Sequence, residues 1–79
     1  KQTITLVVKN HPGVLLRITG LFTRRGFNID SLTAFPDEKK EFTTMTITTY
    51  GDDATAKQII RQVNKVQEVV ASDLKAGEA

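Results

Sequence analysis

The chain opens with an alternating pattern that predicts a strand. In the segment TITLVV, the apolar residues Ile4, Leu6 and Val8 recur at every second position and share one face, as in a half-buried β-strand. The segment Asn-His-Pro-Gly at 10–13 then interrupts the alternation. Asparagine is a favoured helix N-cap, and proline suits the first helical turn. We therefore expect a helix to begin here, with Asn10 as its cap.

A helical period replaces the alternation after this turn. Val14, Ile18, Leu21 and Phe22 have the i, i+4, i+7, i+8 spacing of one helix face, which is typical of an amphipathic helix. Gly26 follows two arginines and predicts the end of that helix, because glycine readily takes the left-handed conformation that closes helices and positive charge is favourable there.

Two further strands and a charged hairpin loop follow. The segment FNIDSLTAF at 27–35 predicts the second strand, and 36–41 predicts the loop. The threonine-rich segment FTTMTITTY at 42–50 is the clearest strand in the chain, with Met45 and Ile47 on one face and threonines on the other. The sequence therefore predicts a β-hairpin in the middle of the chain.

The last third of the chain predicts a helix and a final strand. Gly-Asp-Asp at 51–53 ends the third strand and can cap a helix. One face of that helix carries Ala56, Ile59, Ile60 and Val63. VQEVVASDL at 66–74 predicts the last strand, and 75–79 is expected to be a frayed tail.

The order strand, helix, strand, strand, helix, strand predicts an α+β, ferredoxin-like βαββαβ fold. In this fold a four-stranded antiparallel sheet carries two helices on one face. If the first and second strands lie side by side, the start of the second is not far from the end of the first helix. The opposite sheet face is left open, and its threonines are compatible both with solvation and with association.

Composition limits the function classes. The chain has 79 residues, a formal net charge of +2 and no cysteine. A domain this small buries only about 60% of its unfolded surface, so we expect a dimer. The absence of cysteine excludes disulfides, and we expect a cytoplasmic protein. No apolar run approaches the roughly 18 residues that cross a bilayer, so no membrane partner is expected. The first residue is Lys1, so we expect the chain to be trimmed or part of a longer polypeptide.

Catalysis, metal binding and nucleic-acid binding are not expected. His11 is the one histidine, whereas a metal site or a catalytic triad needs several convergent groups. The few aromatic residues, 6% of the chain, do not interleave with basic ones. The threonine face of the third strand also lacks the stacking aromatics of RNA-binding ferredoxin-like domains. We expect no cofactor and no nucleic-acid partner.

The turn at 10–13 is the first candidate site. The first N–H groups of a helix have no intrahelical partner, and together with the helix dipole they suit a carboxylate. Gly13 would let a ligand approach the backbone, since it has no Cβ. In the simpler alternative, Asn10 and Gly13 only terminate a strand and cap a helix.

Asn28 is the second candidate. It lies between Phe27 and Ile29, and an unpaired buried amide destabilises a fold by about 1–3 kcal/mol. Its amide is therefore expected either to satisfy backbone groups or to bind the polar end of an amino acid held between two subunits. Arg24 and Arg25 are expected to be a solvated helix end.

The stretch NHPGVLLRITGLFTRRGFNIDSLT closely resembles the start of the regulatory (small) subunit of acetolactate synthase, also called acetohydroxyacid synthase. That family opens with an ACT domain in which an Asn, two variable residues and a Gly precede GLF, RRGFNI and SLT at this spacing. The later MTI strand and the QVNKVQEVV segment also fit. The resemblance implies an ACT domain at 1–74.

The resemblance also implies a site and a mechanism. A branched-chain amino acid, chiefly valine but also leucine or isoleucine, would bind between two ACT domains of a homodimer. The implied contacts are Asn10, Gly13, Val14 and Leu15 from one copy, the backbone of His11 and Pro12, and Asn28 and Ile29 from the other. The domain would perform no chemistry. It would make the thiamine-diphosphate-dependent catalytic subunit of acetolactate synthase sensitive to end-product.

Two alternatives remain open at this point. The first is an amino-acid-sensing ACT domain of another enzyme or regulator, such as a serine-sensing dehydrogenase. The second is a module that only dimerises or docks a partner, without a ligand. In the resembling family a further C-terminal domain follows the ACT domain, so the sequence predicts either a truncated chain or a short relative.

Overall fold

The computed structural model describes residues 1–76 and contains the six predicted elements in the predicted order. The elements are β1 Gln2–Lys9, α1 Val14–Arg24, β2 Ile29–Pro36, β3 Phe42–Thr49, α2 Asp53–Asn64 and β4 Val69–Ala76. All neighbouring strands pair antiparallel in one four-stranded sheet. The predicted ferredoxin-like βαββαβ fold is confirmed.

The strand order is β2-β3-β1-β4, so the first two strands are not neighbours and the condition that they lie side by side is not met. β3 lies between them, and it pairs with β1 through Leu6 and Met45 and with β2 through Ala34 and Met45. Because β1 and β2 both run antiparallel to β3, they are parallel to each other. Inserting β3 gives every neighbouring pair the antiparallel hydrogen-bond pattern.

The core lies between one sheet face and the two helices. Its fully buried apolar sheet residues are Ile4, Leu6 and Val8 of β1 and Met45 and Ile47 of β3. The helices cover them with the residues Val14, Ile18, Phe22, Ala56, Ile59 and Val63. Each of these side chains other than the small Ala56 contributes about 1.5–3 kcal/mol through burial. Leu21 and Ile60 belong to the predicted faces but are only half-buried, because they pack at the margin of the core.

The N-terminal end of α1 differs from the predicted one. Its N-cap is Gly13, in the left-handed conformation at φ 83°, and no side chain caps the helix. Asn10 is therefore not the N-cap. At the other end Arg25 is the C-cap and Gly26 follows with φ 79°, as predicted for the stop. In α2, by contrast, Asp52 is a true cap whose side chain accepts a hydrogen bond from the Thr55 N–H at 2.7 Å.

Two strand boundaries also differ from prediction. β2 begins at Ile29 because the backbone of Phe27 hydrogen-bonds to Phe22 and its ring is buried in the core. β4 begins at Val69 and extends to Ala76, so it includes two residues assigned to the tail. The rest of the predicted frayed tail, 77–79, lies outside the described residues.

Within residues 1–76 no helix covers the second sheet face, which is lined by threonines of β1 and β3 that are half-buried or exposed. β2 and β4 are the edge strands. Large apolar side chains are exposed on α1 and β2, namely Leu15, Leu16, Leu32 and Phe35. None of the helices within residues 1–76 has the length and apolar character that crossing a membrane requires.

Candidate functional site

The first half of the site is the turn between β1 and α1, which Asn10 holds in place. The Asn10 side chain donates to the Lys40 carbonyl at 3.0 Å and accepts from the Thr43 hydroxyl at 3.1 Å. Its backbone N–H donates to the Glu41 carbonyl at 2.9 Å. Asn10 therefore ties the turn to the β2–β3 connection and to β3, instead of capping the helix.

The start of α1 leaves backbone donors without a helical partner. The Val14 N–H donates to the His11 carbonyl at 3.2 Å, and the Gly13 carbonyl accepts from Arg17 N–H at 3.0 Å. The next two N–H groups, of Leu15 and Leu16, lie in the first turn, where no preceding helical carbonyl exists. With no capping side chain, these donors and the positive end of the helix dipole suit an anion.

An open depression of about 540 Å³ lies over this helix start. It combines polar backbone at the turn with apolar side chains of α1. Its lining residues are Asn10, His11, Pro12, Gly13, Leu15 and Leu16. Val14, which was predicted to contact a ligand, is buried in the core at 2% exposure and does not line the depression. The depression therefore contains five of the six turn-side residues predicted from the sequence.

Glu68 supports the turn from the α2–β4 connection. Its carboxylate accepts from Arg17 Nη1 at 2.7 Å, and its other oxygen lies 3.9 Å from His11 Nδ1. Its backbone carbonyl accepts from the Lys9 N–H at 2.8 Å. The negative charge beside the depression is thus paired with the Arg17 guanidinium.

The second predicted half of the site lies at the start of β2. Asn28 is exposed, and its carbonyl accepts a hydrogen bond from the Thr49 hydroxyl. The expectation of a buried amide between Phe27 and Ile29 is wrong, because the Phe27 ring turns into the core while Asn28 is exposed. Ile29 is half-buried and pairs with Thr49.

The two halves lie at opposite ends of the sheet. The turn is bound to Thr43 at the start of β3, and Asn28 is bound to Thr49 at its end. At roughly 3.3 Å per residue, these two threonines are about 20 Å apart along the strand. Within one chain, the structure therefore brings together the residues of the turn but does not bring Asn28 and Ile29 to them.

Comparison with known proteins identifies the family. The profile of the AHAS small subunit-like ACT domain matches residues 4–71. The chain belongs to the ACT domains of this family. These residues include both helices, all of β2 and β3, most of β1 and the start of β4, so the family match covers nearly the whole domain.

Individual relatives agree with this ACT domain assignment. The chain is 50% identical over 70 residues to the probable acetolactate synthase small subunit of Archaeoglobus fulgidus, covering 89% of this chain and 44% of that protein. It is 37% identical over 70 residues to the acetolactate synthase isozyme 3 small subunit of Escherichia coli, covering 89% and 43%. The chain thus spans less than half the length of these curated relatives.

Solved structures give the same result. The acetolactate synthase small subunit of Thermotoga maritima superposes with a TM-score of 0.82 and 37% identity, covering 94% of this chain and 47% of that one. The ACT domain of a GTP pyrophosphokinase from Chlorobium tepidum superposes with a TM-score of 0.79 but only 17% identity, and so supports the fold alone. The family membership confirms the prediction of a small-subunit domain and not a catalytic subunit.

Three residues of the candidate site were missed in the sequence of this ACT domain. Leu16 is 77% exposed beside the turn. The sequence could have indicated it, because Leu16 is an apolar residue that lies off the core face of an amphipathic helix. Thr43 has the same strand spacing as Met45 and Ile47 and lies on the buried face with them. This spacing indicates a core position and gives no sign of a contact with the turn. Nothing local indicated Glu68, because it reaches the turn from the other end of the chain.

Proposed function

We propose that this ACT domain binds a branched-chain amino acid, chiefly valine, between two copies of the chain. We further propose that, in the cytoplasm, it makes the thiamine-diphosphate-dependent catalytic subunit of acetolactate synthase sensitive to that amino acid. The observation that carries this proposal is the uncapped start of α1, which opens into a depression lined by Leu15 and Leu16.

The chemistry of the depression matches a free apolar amino acid. Backbone N–H groups at a helix N-terminus bind carboxylates, and the helix dipole adds to the attraction. Gly13 adopts φ 83° and has nothing within 4 Å of where a Cβ would be, so a ligand can approach the backbone there. Leu15 is 44% exposed next to this position and would contact an apolar side chain.

Pairing of β2 edges would complete the site. The end of β2 lies beside the turn, since Pro36 pairs with Thr43 and Thr43 binds Asn10. When two β2 strands pair antiparallel about a two-fold axis, the start of one lies opposite the end of the other. Asn28 and Ile29 of a second copy would then reach the turn of the first, which explains why one chain holds the two halves so far apart.

The exposed apolar surface supports this homodimer. Leu32 and Phe35 of the edge strand are 39% and 68% exposed. Such an edge is a template for pairing with another chain. A dimer through β2 would cover these side chains and extend the small core.

Regulation would follow as a population shift. A ligand shifts an equilibrium between two arrangements only by as much as its affinity differs between them. Valine would therefore bind more tightly to the arrangement in which the catalytic subunit is inhibited. The domain itself contributes recognition and no chemical step.

A second candidate is a dimerisation module without a ligand. One observation favours it: both polar groups of the Asn10 amide already bond within the chain, to Lys40 and Thr43. The turn would then be purely structural, and the uncapped helix start would be solvated.

Calorimetric titration of the purified chain separates these candidates. The titrants are L-valine, L-leucine, L-isoleucine, L-serine and D-valine, against the wild type and the Asn28→Ala variant. Gln58→Ala is the matched control, because it truncates an exposed amide on α2, away from the site. We expect L-valine to bind one site per chain, with affinity reduced about tenfold or more by Asn28→Ala and unchanged by Gln58→Ala.

The other outcomes assign the alternatives. Preference for L-serine would indicate the amino-acid sensor of a different enzyme. A folded dimer that gives no heat with any amino acid would contradict the proposal and leave the docking module.

A further inference from the structure

Two threonines of β3 face the core, although the other residues on that face of the strand are apolar. Thr43 is 5% exposed and Thr49 is fully buried, and Met45 and Ile47 lie between them on the same face. A hydroxyl removed from water needs a hydrogen-bond partner. Each of the two has one, and both partners belong to the candidate site.

Thr43 orients the side chain of Asn10. Its hydroxyl donates to Asn10 Oδ1 at 3.1 Å, while Asn10 Nδ2 donates to the Lys40 carbonyl at 3.0 Å. The amide is thereby held at both ends. Both bonds favour the orientation that the Asn10 side chain has in the structure.

Thr49 holds the backbone of Asn28 in the same way. Its hydroxyl donates to the Asn28 carbonyl, one residue before β2 begins. The ladder of β2 is irregular at this point, because the register shifts between Ile29 and Ser31. A side-chain bond from a buried position on β3 therefore fixes a peptide group that lies outside the regular strand.

We infer that Thr43 and Thr49 are positioning residues of the amino-acid site. Their hydroxyls hold the Asn10 side chain and the Asn28 peptide group at fixed places relative to β3. This inference rests on the proposed function. In the paired arrangement the turn of one chain and Asn28 of the same chain serve two different sites. One β3 strand would thus set the geometry of both sites in the dimer.

Isosteric substitutions test the hydroxyls separately from packing. Thr43→Val and Thr49→Val keep the shape and remove the donor, whereas Thr43→Ser and Thr49→Ser keep the donor and remove a methyl group. Thr44→Val is the matched control on the open face of the same strand. We expect each core valine variant to bind L-valine about five- to tenfold more weakly, with the serine variants and Thr44→Val within about twofold of the wild type.

A ligand-free measurement accompanies the titration. In Thr43→Val, amide hydrogen exchange should accelerate in the turn at 10–15 and stay unchanged at 27–29. In Thr49→Val, it should accelerate at 27–29 and stay unchanged at 10–15. Urea unfolding should show that each variant keeps a single cooperative transition and is folded under the titration conditions, although the lost hydrogen bond lowers the midpoint of the two core valine variants. Uniform acceleration in both segments would indicate general destabilisation and would overturn the inference.

The outcomes distinguish this inference from the proposed function. Wild-type binding that the valine variants retain would overturn the positioning role and leave the function intact. Serine variants as weak as the valine variants would also overturn it, because packing would then be responsible. A wild type that binds no amino acid would overturn the proposed function and this inference with it.

Discussion

Arg17 of α1 and Glu68 of the α2–β4 connection form a hydrogen-bonded ion pair with a Nη1–Oε1 distance of 2.7 Å. The Glu68 side chain is only 17% exposed, and its backbone carbonyl also accepts from the Lys9 N–H. One residue near the C-terminal end therefore fixes the end of β1 and the first half of α1. These are the two elements that flank the turn at 10–13.

The first prediction concerns this pair. Arg17→Met should lower the free energy of unfolding because Glu68 then loses its partner in a largely buried position, and Arg17→Met combined with Glu68→Gln should recover part of that loss. Since Arg17 is about half exposed, we expect a coupling energy of about 0.5–1 kcal/mol. Urea unfolding of the wild type, both single variants and the double variant measures it. Strictly additive effects would show that the pair does not contribute.

The second prediction concerns Gly13. Its φ of 83° is in the left-handed region, and no atom would contact an added Cβ, so the penalty for a side chain is purely conformational. Gly13→Ala should destabilise the chain by about 1–2 kcal/mol. Gly13→Asn should destabilise it less, because asparagine tolerates this conformation better. Thermal or urea unfolding compares the two, and equal losses would argue against backbone strain as the cause.

The elements that the sequence predicted well are those determined by local spacing. Alternation of Ile4, Leu6 and Val8 predicted a strand and its buried face, and the spacing of Val14, Ile18 and Phe22 predicted α1 and its buried face. Both patterns depend only on periods of 2 and 3.6 residues. These periods survive any arrangement of the rest of the chain.

The features that were missed depend on long-range pairing. The sequence predicted Asn10 as a helix cap because capping is the common local role of asparagine before a helix. Its side chain instead forms a hydrogen bond with Thr43, 33 positions away. Asn28 was a candidate because of its polar amide between two apolar residues, and the resemblance then implied its role in the site. Its exposure and its bond to Thr49 required the structure.

The third prediction concerns Gly51, which lies directly against the ring of Phe27. A Cβ at this position would approach two ring atoms to 2.8 Å, so the ring or the backbone has to move. Gly51→Ala should destabilise the chain by about 1–3 kcal/mol. It should also weaken amino-acid binding if the proposed site is correct, since Phe27 directly precedes Asn28.

Gly20 provides the control for this substitution. It lies inside α1 with nothing within 4 Å of an added Cβ. Gly20→Ala should therefore stabilise the chain by about 0.5–1 kcal/mol, because alanine loses less backbone entropy in a helix. Urea unfolding of both variants decides the matter. A neutral Gly51→Ala variant would mean that the Phe27 ring relocates without loss.

The last prediction concerns acid stability and the cap of α2. Hydrogen bonds from the Thr55 side chain and backbone N–H hold the pKa of Asp52 below its ordinary value of 3.8. The folded chain therefore binds a proton at Asp52 less readily than the unfolded chain does. Above the unfolded pKa the ionised cap makes its full contribution to the stability of the fold. That contribution is lost as the pH falls through the lower folded pKa.

Asp52→Asn isolates this effect, because asparagine also caps helices but does not titrate. Other carboxylates titrate in both proteins, so their contribution cancels in the difference between the two. Urea unfolding from neutral to strongly acidic pH should show the stability of the wild type decreasing relative to Asp52→Asn only at the acidic end. A difference between the two proteins that is constant across this range would contradict a role for the Asp52 charge in capping α2.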